Sequence, residues 1–344
     1  MPRLWRPGFG GRAGPNEAGP RVSAAGAPES PPDLPPVLPP ELLASVRRLE
    51  LKARRLVATE LAGEYRSVFR GFGIEFAEAR EYVVGDDVRL IDWNVTARMG
   101  ESWVKEYVEE RELHVVCAVD VSASQLAARP QQGRRAVAAE ACALLTLSAA
   151  NSHDRSALLT FGGAVERFVP PAKGTRHALR IVREVLDHPA PATPGTSIAA
   201  ACDYLGRVLR RRAVVFLISD FFDTGYERAL RDLARRHELI AVTLIDPLDE
   251  ELPDAGIVEV EGIEGGGRVL VDSSDRGLRE CYAAAAAQRR EARVAALRSA
   301  GVDEIEVRTD GEAAQPLLAY FRARSSGRAA RRAVGGPRAG AGRR

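Results

Sequence analysis

Asp120, Ser122 and Ser124 place one carboxylate and two hydroxyls at alternate positions directly after the apolar run 113–119. In extended chain, residues i, i+2 and i+4 project to the same side, so the three side chains can converge where a buried strand ends. Open α/β sheets bind their ligands at that end of their strands. A donor set made only of oxygen suits a hard cation such as Mg²⁺ better than zinc or copper. The same residues also suit a strand-to-helix turn in which Ser122 or Ser124 caps the next helix. Two further spots carry the oxygens that a metal shell would need. Thr196 stands in the loop Thr193-Pro194-Gly195-Thr196-Ser197, where Thr196 or Ser197 could instead cap the following helix. Asp220 follows Ser219 after the apolar run 214–218, and so repeats the placement of Asp120. Asp120, Ser122, Ser124, Thr196 and Asp220 are therefore the candidate metal ligands.

The elements that must position these residues alternate. Apolar spacing predicts a helix over 41–59, then a segment over 62–110 that is short in period, punctuated by glycine and dense in charge and aromatics. From residue 113 the pattern predicts strands at 113–119, 155–161, 165–169, 213–219, 239–245 and 303–308. Helices are expected over 131–151, 174–187, 197–211, 226–237, 276–299 and 312–322, with a hairpin at 256–273. Such alternation implies an α/β fold with a mainly parallel sheet covered on both faces. A parallel sheet would bring the ends of 113–119 and 213–219 together.

Composition narrows the setting. The chain has 344 residues and a formal net charge of +2. The tail after Phe321 carries eight arginines and no acid, and the first 40 residues carry four arginines against three acids, which leaves −7 on residues 41–321. A basic fold built for nucleic acid would look different. The Arg-rich tail could touch nucleic acid or an anionic membrane electrostatically, or serve only as a solvated tail. Eleven of the 21 prolines lie in residues 1–40, so that segment is expected to be disordered, as is the Arg-rich segment 323–344. The four cysteines have no metal-ligand spacing and suit reduced, buried thiols. The start lacks the apolar core of a signal peptide, and no run approaches the roughly 20 apolar residues of a membrane span. The expectation is a cytoplasmic protein without a membrane span.

Taken together, Asp-x-Ser-x-Ser at 120–124, the Gly195-Thr196 loop and Asp220 after a buried strand resemble the metal-ion-dependent adhesion site of von Willebrand factor A-like domains. The resemblance implies that Ser122, Ser124 and Thr196 bind Mg²⁺ directly, that Asp120 and Asp220 hold it largely through water, and that a partner's carboxylate takes the open position. A second resemblance lies upstream. The stretch Arg70-Gly71-Phe72-Gly73-Ile74-Glu75-Phe76, with Glu78, Arg80, Tyr82, Gly85-Asp86-Asp87-Val88-Arg89-Leu90-Ile91-Asp92-Trp93 and Thr96-Ala97-Arg98, is similar to the signature of domain-of-unknown-function family 58. That family consists of von Willebrand A-like proteins often encoded beside MoxR-type AAA+ ATPases. It commonly has Met after its Ser-x-Ser, where this chain has Gln125. The resemblance implies a doubly wound von Willebrand A-like domain over 111–322, preceded by a small helix and β subdomain over 41–110. Residues 75–98 read either as a docking surface or as an ion-pair network that pins the subdomain to the core, with Trp93 as apolar anchor.

No phosphate-binding Gly-x4-Gly-Lys-Ser/Thr loop and no Gly-x-Ser-x-Gly elbow occur. The five histidines are scattered, and none pairs with a nucleophile in sequence. The expected function is a non-enzymatic, Mg²⁺-dependent interaction module, an adaptor or co-chaperone of a MoxR-type AAA+ ATPase acting on a protein client. The alternative is a metal-dependent hydrolase or phosphotransferase using Asp120 and Asp220.

Overall fold

The computed structural model describes residues 40–69, 75–83, 86–108, 112–125, 133–189, 193–262 and 267–334. The stretch 70–74 of the upstream motif, Gly85, the Pro-rich segment 1–39 and the last ten residues lie outside the described residues.

Six strands form the central sheet: β3 (His114–Asp120), β4 (Arg155–Phe161), β5 (Val165–Lys173), β6 (Val214–Ser219), β7 (Glu238–Ile245) and β10 (Asp303–Arg308). They run in the order β10-β7-β6-β3-β4-β5, and every pair is parallel except β4 with β5. The chain starts at the centre with β3, winds outward through β4 and β5, then returns to the other side of β3 with β6. The direction of winding therefore reverses between β3 and β6, the place where open α/β sheets leave a crevice beyond their strand ends. This is the von Willebrand A-like, doubly wound sheet that the alternation and the resemblance implied.

Helices α4 (Arg134–Asn151), α5 (Thr175–Leu186), α6 (Ile198–Val208), α7 (Glu227–Ala234), α9 (Arg276–Ala300) and α10 (Ala314–Val334) cover the sheet, and the one-turn α8 (Pro247–Glu250) follows β7. Period-two alternation divides the core in two. Val115, Cys117, Val119, Phe216 and Ile240 pack on one face with α4, α5 and α10. Val116, Ala118, Leu159, Leu217 and Ala241 pack on the other with α6, α7 and the end of α9. Of the four free cysteines, Cys117, Cys142 and Cys202 are buried, while Cys281 is exposed, contrary to expectation, because it lies on the half of α9 that leaves the core.

Two departures from the sequence pattern concern the termini of the described chain. Helix α1 (Pro40–Leu56) does not stop near residue 59 but runs through a π-turn into α2 (Ala62–Phe69). Leu61, Tyr65, Val68 and Phe69 are buried in the same core as the sheet, so this helical run belongs with the α/β body and not with a separate subdomain. Tertiary burial here outweighs the weak helix preference of Gly63. At the other end, α10 continues to Val334, beyond the boundary at 322 where a disordered tail was expected. Just past that boundary the Arg324 guanidinium reaches Glu238 and Asp303, which fastens this part of the helix to the sheet. Tyr65, Phe69, Phe216 and Phe321 join α2, β6 and α10 through edge-on ring contacts with centroids between 6.0 and 6.5 Å, and Tyr65 and Phe69 are tilted against each other at 5.0 Å.

What remains of the expected subdomain is a two-stranded antiparallel ribbon, β1 (Glu75–Glu81) with β2 (Trp103–Val108), enclosing the short helix α3 (Trp93–Met99). A second ribbon, β8 (Ile257–Gly262) with β9 (Gly267–Asp272), precedes α9.

Asp154 ties α2 to the sheet. Its carboxylate accepts from the Tyr65 hydroxyl at 3.0 Å and from the Leu113 amide at 2.9 Å. Burial raises its pKa to about 6, against these two bonds, which favour the charged form. The unfolded chain releases this proton near pH 4. Between about pH 4 and about pH 6 the folded state thus binds more protons, and the contribution of Asp154 to stability falls as pH rises. Urea titrations across that range should show wild type losing stability relative to Asp154→Asn, and a pH-independent difference would contradict the assignment. Phe321→Ala should cost about 3–5 kcal/mol in the same titrations, through the cavity left among the rings of Tyr65, Phe69 and Phe216.

Candidate metal centre

Strand register decides which side chains meet. Val119 pairs with Ile218 across β3 and β6, so Asp120 stands beside Ser219, and Asp220 lies one residue beyond. The Ser219 hydroxyl donates to Asp120 Oδ2 at 2.7 Å, and the Ser122 amide donates to Asp120 Oδ1 at 2.9 Å. After Asp120 the chain does not stay extended: a 3₁₀ turn spans Ala123–Gln125. The two hydroxyls still converge, with Ser122 Oγ and Ser124 Oγ 3.0 Å apart and Ser124 Oγ donating to Asp220 Oδ2 at 3.1 Å. Asp120, Ser122 and Asp220 are all at most 4% exposed.

Backbone geometry aims Asp220 into the cluster. Phe221 has a φ of 58°, a left-handed conformation that a bulky residue adopts only when its surroundings hold it there. Its amide donates to Ser219 Oγ at 3.1 Å, and its ring packs on Tyr226. Thr196 sits in the segment just before α6. A glycine is required opposite it: a Cβ on Gly163 would meet the Pro194 carbonyl oxygen at 2.2 Å. The close approach lets the Ser197 amide donate to the Gly162 carbonyl at 2.7 Å, while the Ser197 hydroxyl caps α6. No hydrogen bond joins Thr196 to Asp120, Ser122, Ser124 or Asp220 among the described residues.

Gln125, Arg134 and Ser219 complete the cluster, and sequence reading did not single them out as site residues. Gln125 Nε2 donates to Asp220 Oδ2 at 3.0 Å, while its amide oxygen is buried without a partner. Arg134 donates to the Ser124 carbonyl at 3.1 Å, grips both oxygens of Asp249, and holds its Nε 3.9 Å from Asp220 Oδ2. A signal for Arg134 existed: it lies three and four residues before Val137 and Ala138, on the buried stripe of α4. Burial is the main cause that raises the carboxyls of both aspartates. Asp120, which also feels the charge of Asp220, is pushed to about 6, whereas the Arg134 guanidinium opposes the rise at Asp220.

In the upstream motif, Arg80 grips Asp86 with two bonds of 2.7 and 2.8 Å, which lowers the Asp86 carboxyl to about 2. Asp87 caps a 3₁₀ turn and Asp92 caps α3. Trp93 is 70% exposed, so it does not anchor the ribbon to the core. Asp86, Asp87 and Asp92 each accept hydrogen bonds from groups of their own segment. The side chains of Glu75 and Glu78 lie outside the described residues.

A central sheet of this order, with a hydroxyl and carboxylate cluster at its winding reversal, defines a doubly wound α/β protein with a candidate ligand site at the strand ends. Residues 78–292 match the family described as "Protein of unknown function DUF58". The chain is 35% identical over 289 residues to Uncharacterized protein Rv1480 of Mycobacterium tuberculosis and to Uncharacterized protein Mb1516 of Mycobacterium bovis, covering 83% of this chain and 91% of each relative. The chain belongs to the DUF58 family. Among solved structures it has a likeness to the conserved hypothetical protein BatB from Bacteroides thetaiotaomicron, with 16% identity and a TM-score of 0.40 over 64% of this chain and 99% of that one. An aerotolerance-related membrane protein from Bacteroides fragilis gives 17% identity and a TM-score of 0.41 over 62% of this chain and 99% of that one. Among the described residues no helix is long and apolar enough to cross a membrane.

Among the described residues, Arg134 is the one guanidinium that bridges Asp220 and Asp249. Arg134→Gln would leave these carboxylates without their cation, and should lower stability in urea denaturation by about 3–5 kcal/mol. A double-mutant cycle with Asp249→Asn should recover a large part of that loss.

Proposed function

We propose that the Asp120 cluster is an Mg²⁺-dependent protein-interaction site and that the chain works as a non-enzymatic adaptor for a MoxR-type AAA+ ATPase. The observation that carries this reading is the pairing of two almost fully buried carboxylates from neighbouring strand ends, linked through hydroxyl groups. Among the described residues, Asp120, Asp220 and the adjoining Asp249 face a single guanidinium, that of Arg134, which favours added positive charge at the cluster. Its donors are all oxygens, which fits a hard divalent cation. Ser122, Ser124 and Thr196 would hold the ion through their hydroxyls, and Asp120 and Asp220 through its water. When bound, the ion would offer a coordination position to a carboxylate from a partner. The protein's own contribution is to hold the oxygens in place: Ser219 and the Ser122 amide fix Asp120, while Ser124 and Gln125 fix Asp220.

A binding role is favoured over chemistry by what surrounds the carboxylates. Both are locked by hydrogen bonds at strand ends, and three histidines bond elsewhere, His188 to Thr160, His177 to the Ser156 carbonyl and His237 to the Ala213 amide. The ATPase partner rests on the family resemblance.

Millimolar Mg²⁺ should raise the thermal midpoint of the wild-type protein, by linkage worth about 2.7 kcal/mol at a hundred times its dissociation constant, and leave Asp120→Ala unchanged. Capture of a co-expressed MoxR-type ATPase should be lost with EDTA and with Asp120→Ala. Equal capture in all cases would sink the metal-bridged adaptor. Mg²⁺-dependent phosphate release from generic esters, abolished in the same variant, would favour a hydrolase instead.

A further inference from the structure

Next to the cluster, a cleft of about 290 Å³ opens between the end of β7, α8 and the exposed side of α9. Asp220 and Phe222 form its inner end, and Ala283, Ala286 and Ala287 form one wall. Alanine methyls there allow another backbone to come close. The charges along the cleft are almost all matched. Arg290 is bound to Glu306 at 2.8 Å, and Arg293 bridges Glu304 and Glu306 at 2.8 Å each. Glu250 is paired with Arg308 at 2.8 Å, and Asp249 with Arg134. Two charges of the cleft stand without an ion pair among the described residues: the carboxylate of Glu251 on the exposed rim and the guanidinium of Arg289.

Arg289 is nevertheless held in position. Its guanidinium lies 5.7 Å from the Phe222 ring centroid and 5.9 Å from that of Tyr282, and its Nη2 donates to the Asp249 carbonyl at 3.3 Å. Tyr282 is fixed in turn by donating to the Leu248 carbonyl at 2.6 Å. A guanidinium held near two aromatic rings keeps its charge and its remaining N–H donors for a planar anion, and it loses less rotamer freedom when one binds. The acids on the walls limit what that anion can be. Asp220, Asp249, Glu250 and the exposed rim residue Glu251 would repel a polyanion such as nucleic acid, whereas one carboxylate matches one unpaired cation.

We propose that this cleft binds a short segment of a partner protein bearing a single acidic side chain, and that Arg289 is the receptor for its carboxylate. The inference extends the interaction reading of the Asp120 cluster and rests on it, since Asp220 belongs to both. Arg289 contacts the Phe222 and Tyr282 rings and the Asp249 carbonyl, none of them a candidate metal ligand, so the two can be tested apart.

The test uses the full-length protein and a capped heptapeptide of alanine and glycine with one central glutamate, compared with the same peptide carrying glutamine. Binding is followed in ¹⁵N-arginine-labelled protein, with and without Mg²⁺ plus EDTA, for wild type, Arg289→Gln, Asp120→Ala and Ala286→Trp. The glutamate peptide should shift the Arg289 Nε–H signal and bind at least tenfold more tightly than the glutamine peptide. Arg289→Gln should abolish that preference, and Ala286→Trp should weaken binding while leaving Arg289 and the thermal midpoint in place. A preference lost in Arg289→Gln but indifferent to EDTA and to Asp120→Ala would support the cleft and overturn the metal bridge. A preference lost with EDTA or Asp120→Ala but intact in Arg289→Gln would overturn the cleft and support the metal bridge. Equal binding of the two peptides, or none, would overturn the cleft proposal.

Discussion

Two carboxylates removed from water at neighbouring strand ends are the constraint around which the site end of the molecule is arranged. An unpaired buried charge is expensive, and two close together are more so. The sheet brings the two together, because β3 and β6 are adjacent at the winding reversal, β3 ends in Asp120 and Asp220 directly follows β6. The protein answers with a one-residue offset. Asp120 meets the Ser219 hydroxyl instead of Asp220, and Asp220 is turned aside by the left-handed Phe221 toward Ser124 and Gln125. Each carboxylate gains its own donors, and the hydroxyls lie between them.

Charge compensation then spreads outward from the cluster. Arg134 stands in the first turn of α4 yet is buried, because it must reach Asp220, the Ser124 carbonyl and Asp249 together. Asp249 belongs to α8, whose backbone also receives Arg289 from α9. A continuous set of contacts therefore links the strand ends to the cleft wall. Substitution at Arg134 would loosen both at once, which makes it a positioning residue for the whole end of the molecule.

Away from that end, the N-terminal part of the chain divides physically into two kinds of structure. The helical run α1–α2 is fastened to the sheet by buried aromatic rings and by the Tyr65–Asp154 bond, so it acts as part of the body. The ribbon of β1 and β2 with α3 instead leaves Val83, Val88, Trp93 and Met99 more than 60% exposed. Capping bonds and the Arg80–Asp86 pair stabilise that ribbon from within, in keeping with the marginal stability of isolated two-stranded sheets.

Much of this was written in the chain. Apolar runs of strand length, each followed by a turn, determined the alternation and hence the parallel sheet, because burial on both faces demands continuous apolar strands. The same runs located Asp120 and Asp220 at strand ends, and the hydroxyls at 122 and 124 beside them. Tertiary structure decided the rest. Register across β3 and β6 chose Ser219 as the partner of Asp120, a choice that depends on strand pairing and has no local signature. Trp93 looked like an anchor by residue type, yet lies in solvent, since burial is a property of the neighbours a side chain finds. Gln125, Arg134 and Arg289 come from a turn and two helices that meet only when the sheet is closed. Local composition could identify the oxygens of the site, but their charge balance is set by Arg134 and Asp249, brought from 14 and 129 positions away from Asp120, through packing that no short stretch of sequence contains.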